Sequence, residues 1–345
     1  MMKPLFIFLF LSTSIVGFAQ DFKKILNEGI ALHDQGKYKL AIQKYESAAK
    51  IEKKAAIVYY EMAYSYYALK DYDNSIKKSK KAIKLAKSNE NNSILLSSYL
   101  IHGAAIDDSG DTKKAIKIYN KAIKKFPNNY LLRYNLGYSY FKNRQYDDAQ
   151  VMIEKALTIN PKHGTSHILL AHITRNKGLR VQSIMAMNHF LYLENLNHPV
   201  NITARSKEGF SILKKQTIGN VTRDGENSIT INLSLIDNDE FSTTNMLLSL
   251  MEASNRILAD SLNLSENQRI HFFMKTFCSS LADKTSNGAK FWTGKYLTIF
   301  QQLHEKELVE TFTNILLLSS GDPKVATWLN EHEVEVSKVE GLFLE

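Results

Sequence analysis

The sequence predicts a mainly α protein: a right-handed solenoid of about five helix pairs, followed by a small β-hairpin and a C-terminal helical domain. Three observations carry this. A short motif recurs at a period near 34 residues through the first half of the 345-residue chain, its apolar residues fall at helical spacing, and the pattern stops at Asn197 before a stretch that alternates with a period of two. A fixed period of this size marks stacked supersecondary units, because one helix pair cannot bury its apolar face alone. The composition is that of a globular chain, with 44% hydrophobic and 23% charged residues, 15 Gly and 5 Pro. It excludes disorder, a collagen-like chain and a polytopic membrane protein.

Taken in order, the chain opens with Met1, Met2 and Lys3 and an uncharged run from Pro4 to Phe18, too short to span a hydrocarbon core of ~30 Å. A positive start, an apolar middle, and Gly17 and Ala19 placed for cleavage before Gln20 have the layout of a signal peptide over residues 1–19. The mature chain is therefore expected to be exported, periplasmic or secreted, with no transmembrane segment after cleavage. No cysteine follows the run to carry a lipid; the only one, Cys278, is expected to be a buried apolar thiol on a helix.

The recurring motif is Ala41 to Ala48, Ser75 to Ala82, Ala115 to Ala122 and Ala149 to Ala156, each with a small residue twelve positions upstream: Gly29, Ala63, Gly103 and Gly137. Successive spacings are 34, 40 and 34 residues, the excess falling on the polar Lys87 to Asn92, and a weaker fifth unit carries Ala171 and Ser183. Units are read at 22–55, 56–89, 96–129, 130–163 and 164–195. This array resembles the tetratricopeptide repeat, whose small residues at positions 8, 20 and 27 let antiparallel helices approach closely. Pro127 and Pro161 close units three and four as that family's proline does; units one and two lack it, and Phe190 replaces the small residue of unit five, which suits a last unit covered by something other than a sixth repeat.

The resemblance implies that the first helix of each unit lines a groove through positions 2, 5, 9, 12 and 13. These give Ile57, Tyr60, Tyr64 and Tyr67 from unit two and Leu131, Tyr134, Tyr138 and Phe141 from unit four. Units one and three contribute Leu26, Ile30, His33, Leu100, Ala104, Asp107 and Asp108. Aromatics with an apolar body and a polar tip anchor partners, so a protein or peptide segment of the bacterial cell envelope is the expected ligand of a non-enzymatic scaffold. The lysine and asparagine of a carboxylate clamp are missing, since Leu26, Ile30, Tyr60 and Tyr64 hold those places.

Residues 20–200 carry 29 Lys and Arg against 16 Asp and Glu, a net of +13, whereas residues 201–345 net −5. Lys77, Lys78, Lys81 and Lys84 crowd the second helix of unit two, and Lys114 and Lys121 that of unit three. They are expected on the convex side, as a solvated face or as a surface for weak contact with anionic membrane or glycan; that peripheral binding is the alternative function. Nucleic acid is disfavoured for an exported chain without a recognised binding motif.

Beyond the repeats, residues 197–215 read as a capping helix. Ile229, Ile231, Leu233 and Leu235 alternate with polar residues after the turn-forming Arg223 to Asn227, predicting a β-hairpin over 216–236. Residues 237–345 read as a helical domain, with a capping box at Ser265–Gln268 and a cap at Asp322 ahead of Pro323. No catalytic motif, cofactor or metal site is expected: His304-Glu305 and His332-Glu333 lack the second histidine that zinc needs, and the acids Asp107-Asp108, Asp237, Asp239 and Glu240 read as turn or surface residues. An enzyme site in this domain is the third reading, and it requires a deep pocket with convergent carboxylates or histidines.

Overall fold

The computed structural model describes residues 5–197, 203–217, 241–251, 264–284 and 290–344. The chain divides into two compact units, Met1–Ile159 and Asn160–Glu345.

The first unit consists of α1 (Leu5–Asp34), α2 (Tyr38–Ile51), α3 (Ala56–Ala68), α4 (Tyr72–Ser88), α5 (Asn92–Asp108), α6 (Thr112–Lys125), α7 (Tyr130–Lys142) and α8 (Tyr146–Ile159). Turns of three or four residues join them, so successive helices lie antiparallel. The odd-numbered helices touch one another, α1 with α3, α3 with α5 and α5 with α7, more closely than the even-numbered ones do. The odd helices therefore form an inner row and the even helices an outer one, as a curved helical-repeat array requires.

Each repeat turns the same way. The residue at position 15 has left-handed backbone in Gly36, Lys70, Gly110, Arg144 and Gly178. The next residue's N–H closes a six-residue loop on the first helix: Lys37 to the Leu32 carbonyl, Asp71 to Tyr66, Asp111 to Ile106, Gln145 to Tyr140 and Leu179 to Thr174, at 2.9 to 3.2 Å. This is a Schellman termination, for which glycine is the low-cost residue; units two and four form it with long side chains.

Close helix approach explains the small residues at position 8. A Cβ on Gly29 would strike the Tyr45 ring, one on Gly103 would strike the Tyr119 ring, and one on Gly137 would lie 2.7 Å from the Ile153 side chain. All three large residues occupy position 24 and are fully buried. Unit two reverses the sizes, pairing Ala63 with the small Ser79. There, and in unit five, the position-20 serine returns a hydrogen bond to the position-8 carbonyl: Ser75 to Ala63 and Ser183 to Ala171, both 2.8 Å. The six extra residues between units two and three mostly lengthen helices rather than form a loop. α4 and α5 each reach 17 residues where α3 and α7 have 13, and the turn between them, 89–91, stays short.

The second unit begins with α9 (Gly164–Asn176), α10 (Arg180–Asn197) and α11 (Ala204–Thr217). Helix α10 is buried all round from Val181 to Tyr192, which marks a core helix. Phe190 lies against α11, where a Cβ on Gly209 would come within 2.6 Å of its ring; the bulky terminal position is thus covered by a helix with a glycine notch. Residues 242–251 form α12, and α13 (Glu266–Leu281) follows with both capping-box bonds at Ser265 and Gln268 present. Then come α14 (Lys290–Trp292), a π-helical turn (Thr293–Leu297), α15 (Thr298–Glu305), α16 (Val309–Leu317), α17 (Pro323–Glu331), which Asp322 caps, and α18 (Glu333–Leu344). Phe277, Phe300, Phe312, Phe343 and Tyr192 pack in an aromatic chain with centroids 3.6 to 6.2 Å apart.

Among the described residues there is no strand. Helix α11 continues to Thr217, where the hairpin was expected to be already under way, and the rest of 216–236 lies outside the described residues. The 198–202 part of the expected capping helix lies outside them too. Cys278 is fully buried on α13, and burial pushes its thiol well up, as expected of an inert thiol. Among the described residues no helix is long and apolar enough to cross a membrane.

Two stability predictions follow from these turns and crossings. Lys70→Gly and Arg144→Gly each remove a left-handed non-glycine residue and are expected to raise stability by about 1 kcal/mol, read as a higher denaturation midpoint. Gly103→Ala is expected to lower it by about 1–3 kcal/mol through overpacking against Tyr119.

Candidate functional site

The inner row presents two stations of stacked aromatics. On α3, Tyr60 and Tyr64 lie one helical turn apart with rings nearly parallel, 6.3 Å between centroids. The ring of His33 on α1 stacks against Tyr64 at 4.5 Å and meets Tyr38 edge-on at 5.0 Å, and its Nδ1 lies 2.8 Å from the Ser65 hydroxyl. On α7, Tyr134 and Tyr138 repeat the ladder at 6.5 Å. Tyr64 and Tyr138 are 43% and 41% exposed, among the most exposed large apolar side chains described. Tyr60, Tyr67, Leu131, Tyr134 and Phe141 are half-buried beside them.

Between the stations runs a polar network that the spacing argument did not foresee. The Tyr67 hydroxyl donates to Asp108 Oδ2 at 2.6 Å, and Lys142 Nζ lies 3.2 Å from Asp107 Oδ1 and 3.3 Å from Asp108 Oδ1. Lys142 also stands 5.7 Å from the Tyr138 ring centroid. Burial opposes the charge on Lys142, but the two carboxylates hold its ammonium above lysine's ordinary value. Asp107 is not an open groove residue: only 4% exposed, it accepts from Thr112 Oγ1 at 2.7 Å and Ser139 Oγ at 2.9 Å, and so ties α5 to α7. Tyr67 and Phe141 pack on Tyr72 and Tyr146, the residues that open the second helices. Tyr67 is thus partly structural, and Tyr64 and Tyr138 are the exposed aromatics of the row.

Glu61, at position 6 of α3, has no signal in the repeat pattern, yet it is half-buried beside Tyr60 with Asp34 of α1 nearby. Burial first, and Asp34 second, push its carboxyl up to about 7. The folded state thus favours protonated Glu61, so stability held at low pH is lost as pH rises from about 4.5 through about 7. Glu61→Gln is expected to raise the thermal midpoint at pH 8 and leave it unchanged at pH 4; equal shifts at both would refute the assignment.

The lysines lie on the outer helices. Lys77, Lys81, Lys84, Lys114 and Lys121 are exposed and Lys78 is half-buried. Some have structural work: Lys81 Nζ sits 3.9 Å above the Tyr59 ring and Lys87 lies 5.8 Å from that of Tyr99. Burial, with Lys114 and Lys80 adding to it, lowers buried His102 to about 4, and its Nδ1 is 2.9 Å from the Ser79 hydroxyl.

Within the second unit, His167 and His189 stack at 4.1 Å, and His167 bonds the Tyr296 hydroxyl and the Pro161 carbonyl, both at 2.7 Å. Burial holds both imidazoles neutral, His167 at about 3 and His189 well below its ordinary value. Tyr296 comes from the π-helical turn, and all three side chains are buried. A cleft of about 820 Å³ elsewhere in this unit is lined by His271, Phe272, Lys275, His304, Glu305 and Glu310, among others. It offers the histidines and carboxylates that the enzyme reading asked for. Among the described residues no three His, Cys, Asp or Glu side chains are grouped to hold a metal ion.

Comparison with known proteins places the repeats. Tetratricopeptide repeat families match residues 29–70, 56–89, 83–129 and 108–173. A curated relative, BBSome complex member BBS4 of Bos taurus, is 30% identical over 126 residues, which is 36% of this chain and 23% of that protein's length. Similar solved structures include MamA (residues 41 to the end) from Desulfovibrio magneticus RS-1, at 20% identity over 52% of this chain and 97% of that one, TM-score 0.43. Pseudomonas aeruginosa pilF is similar at 15% identity over 58% and 91%, TM-score 0.45. YrrB, described as a TPR protein with an unusual peptide-binding site, is similar at 15% over 51% and 92%, TM-score 0.40. With the glycine-notched helix pairs and the repeated left-handed turns, these matches show that residues 29–173 are built of tetratricopeptide repeats.

Proposed function

We propose that the chain is a non-enzymatic scaffold of the cell envelope that takes a protein or peptide segment along the inner row of helices, with Tyr60, Tyr64, Tyr134 and Tyr138 as anchors. The observation that carries this is the pair of stacked ladders, each ending in a tyrosine left more than two-fifths open to solvent. Large stiff aromatics contribute contact area at little entropic cost, and exposing them has no benefit to an isolated helix array. The repeat family supports an interaction role, and the curated relative is itself named as a member of a complex. Location in the envelope rests on the signal-like residues 1–19, and its direct test is N-terminal sequencing of the protein recovered from extracytoplasmic fractions; an intact Met1 there would count against cleavage.

Binding of anionic lipid or glycan through the outer lysines is the weaker reading, because Lys81 and Lys87 already lie against the protein's own rings. The two respond differently to salt and to mutation. Cross-linking capture from envelope extracts is expected to fall about tenfold or more in the Tyr64→Ala, Tyr138→Ala double variant and to survive a rise in ionic strength that screens exposed charges. Loss of capture on Lys78→Glu with Lys81→Glu, and none with the tyrosine pair, would reverse the assignment.

A further inference from the structure

Units one and two repeat as units three and four at an offset of 74 residues, and the inner row shows the correspondence residue by residue. Tyr60 matches Tyr134, Tyr64 matches Tyr138, Ser65 matches Ser139, and His33 and Asp34 match Asp107 and Asp108. The contacts repeat as well: Ser65 with His33 at 2.8 Å answers Ser139 with Asp107 at 2.9 Å. At the α5–α7 station a cation completes the arrangement, since Lys142 stands by the Tyr138 ring and pairs with both aspartates. Its counterpart at the α1–α3 station is Ala68. There Tyr64 is equally exposed, Asp34 is exposed, and the neighbouring Glu61 adds a second acidic side chain where unit four has the neutral Asn135. Neither Asp34 nor Glu61 has a cation within ion-pairing distance among the described residues, and no cation stands over Tyr60 or Tyr64, although the His33 ring stacks on one side of Tyr64 at 4.5 Å. His33 does not substitute at neutral pH, because burial lowers its pKa.

We infer that the α1–α3 station receives a lysine or arginine side chain from the bound segment, set against Tyr64 and beside Asp34 and Glu61, where the chain's own Lys142 serves the α5–α7 station. A cation beside the exposed tyrosine and the Asp34 carboxylate gains from both, and by its charge it draws the proton off Glu61, which burial and Asp34 otherwise hold up to about 7. The occupant is a basic peptide segment, since the outer lysines repel a cation and this is the inner-row position with two uncompensated acids. The inference rests on the groove reading above and names the chemistry of what binds there.

The test uses the full chain and two fluorescein-labelled peptides of Gly, Ser and Leu, identical except for central lysines in one and norleucines in the other. Fluorescence anisotropy is expected to show the lysine probe binding at least about fivefold tighter. Asp34→Asn and Glu61→Gln are each expected to remove most of that preference. Ala68→Lys, which supplies the cation internally, is expected to abolish it while raising the thermal midpoint. Equal binding of the two probes, no binding of the lysine probe, or a preference unchanged in these variants would overturn the inference. If both probes bind equally and Tyr64→Ala with Tyr138→Ala releases them, the groove stands and only its charge preference is wrong. Binding of the probes that is indifferent to the tyrosine pair removes the groove itself.

Discussion

The distance between the two helices of a repeat is the constraint on which the rest of the first unit depends. Where position 24 holds Tyr45, Tyr119 or Ile153, position 8 holds a glycine, because the ring or branched chain occupies the volume a Cβ would need. Where position 24 shrinks to Ser79, position 8 grows to Ala63. The pair is thus packed by complementary sizes at one crossing point, at interior density, and the inner-row faces of α3 and α7 are left to carry residues unsuited to a core.

The turns add a second regularity with an alternation in it. Glycine takes the left-handed position in units one, three and five, whereas Lys70 and Arg144 take it in units two and four. The ladders follow the same beat: α3 and α7 bear them, while α5 offers Leu100, Ala104 and Asp108. The aromatic pattern therefore repeats every two helix pairs. A segment lying along the inner row would meet an aromatic station, a smaller and acidic stretch, and a second aromatic station already furnished with its own lysine.

Much of this was legible in the sequence. The helix pairs, their register, the buried Cys278 and the caps at Ser265 and Asp322 all follow from spacing and residue type, because each is set by neighbours within one or two turns of helix. What escaped depends on residues far apart in sequence. Asp107 was assigned to the groove by its position number, yet its carboxylate turns to Ser139 and Thr112. Glu61 carries no local signal because its environment is made by tertiary burial and, second, by Asp34, 27 residues earlier on another helix. The six-residue insertion reads as polar linker by composition, but Asn91 caps α5 and Leu85 and Leu95 continue the helical stripes, so most of it is absorbed as helix. The α11 glycine notch under Phe190 is another such case: the phenylalanine announces an unusual end to the array, and only the packing shows what accepts it.

The burial of Cys278 has a practical consequence for studying the protein. With its thiol enclosed in the α13 core and its pKa raised, the native chain presents no reactive sulfur. A cysteine placed on any exposed helix face becomes the single addressable thiol without first deleting the natural one. Spin labels or fluorophores on α3 and α7 can then report occupancy of each aromatic station separately, on a background whose core has not been disturbed.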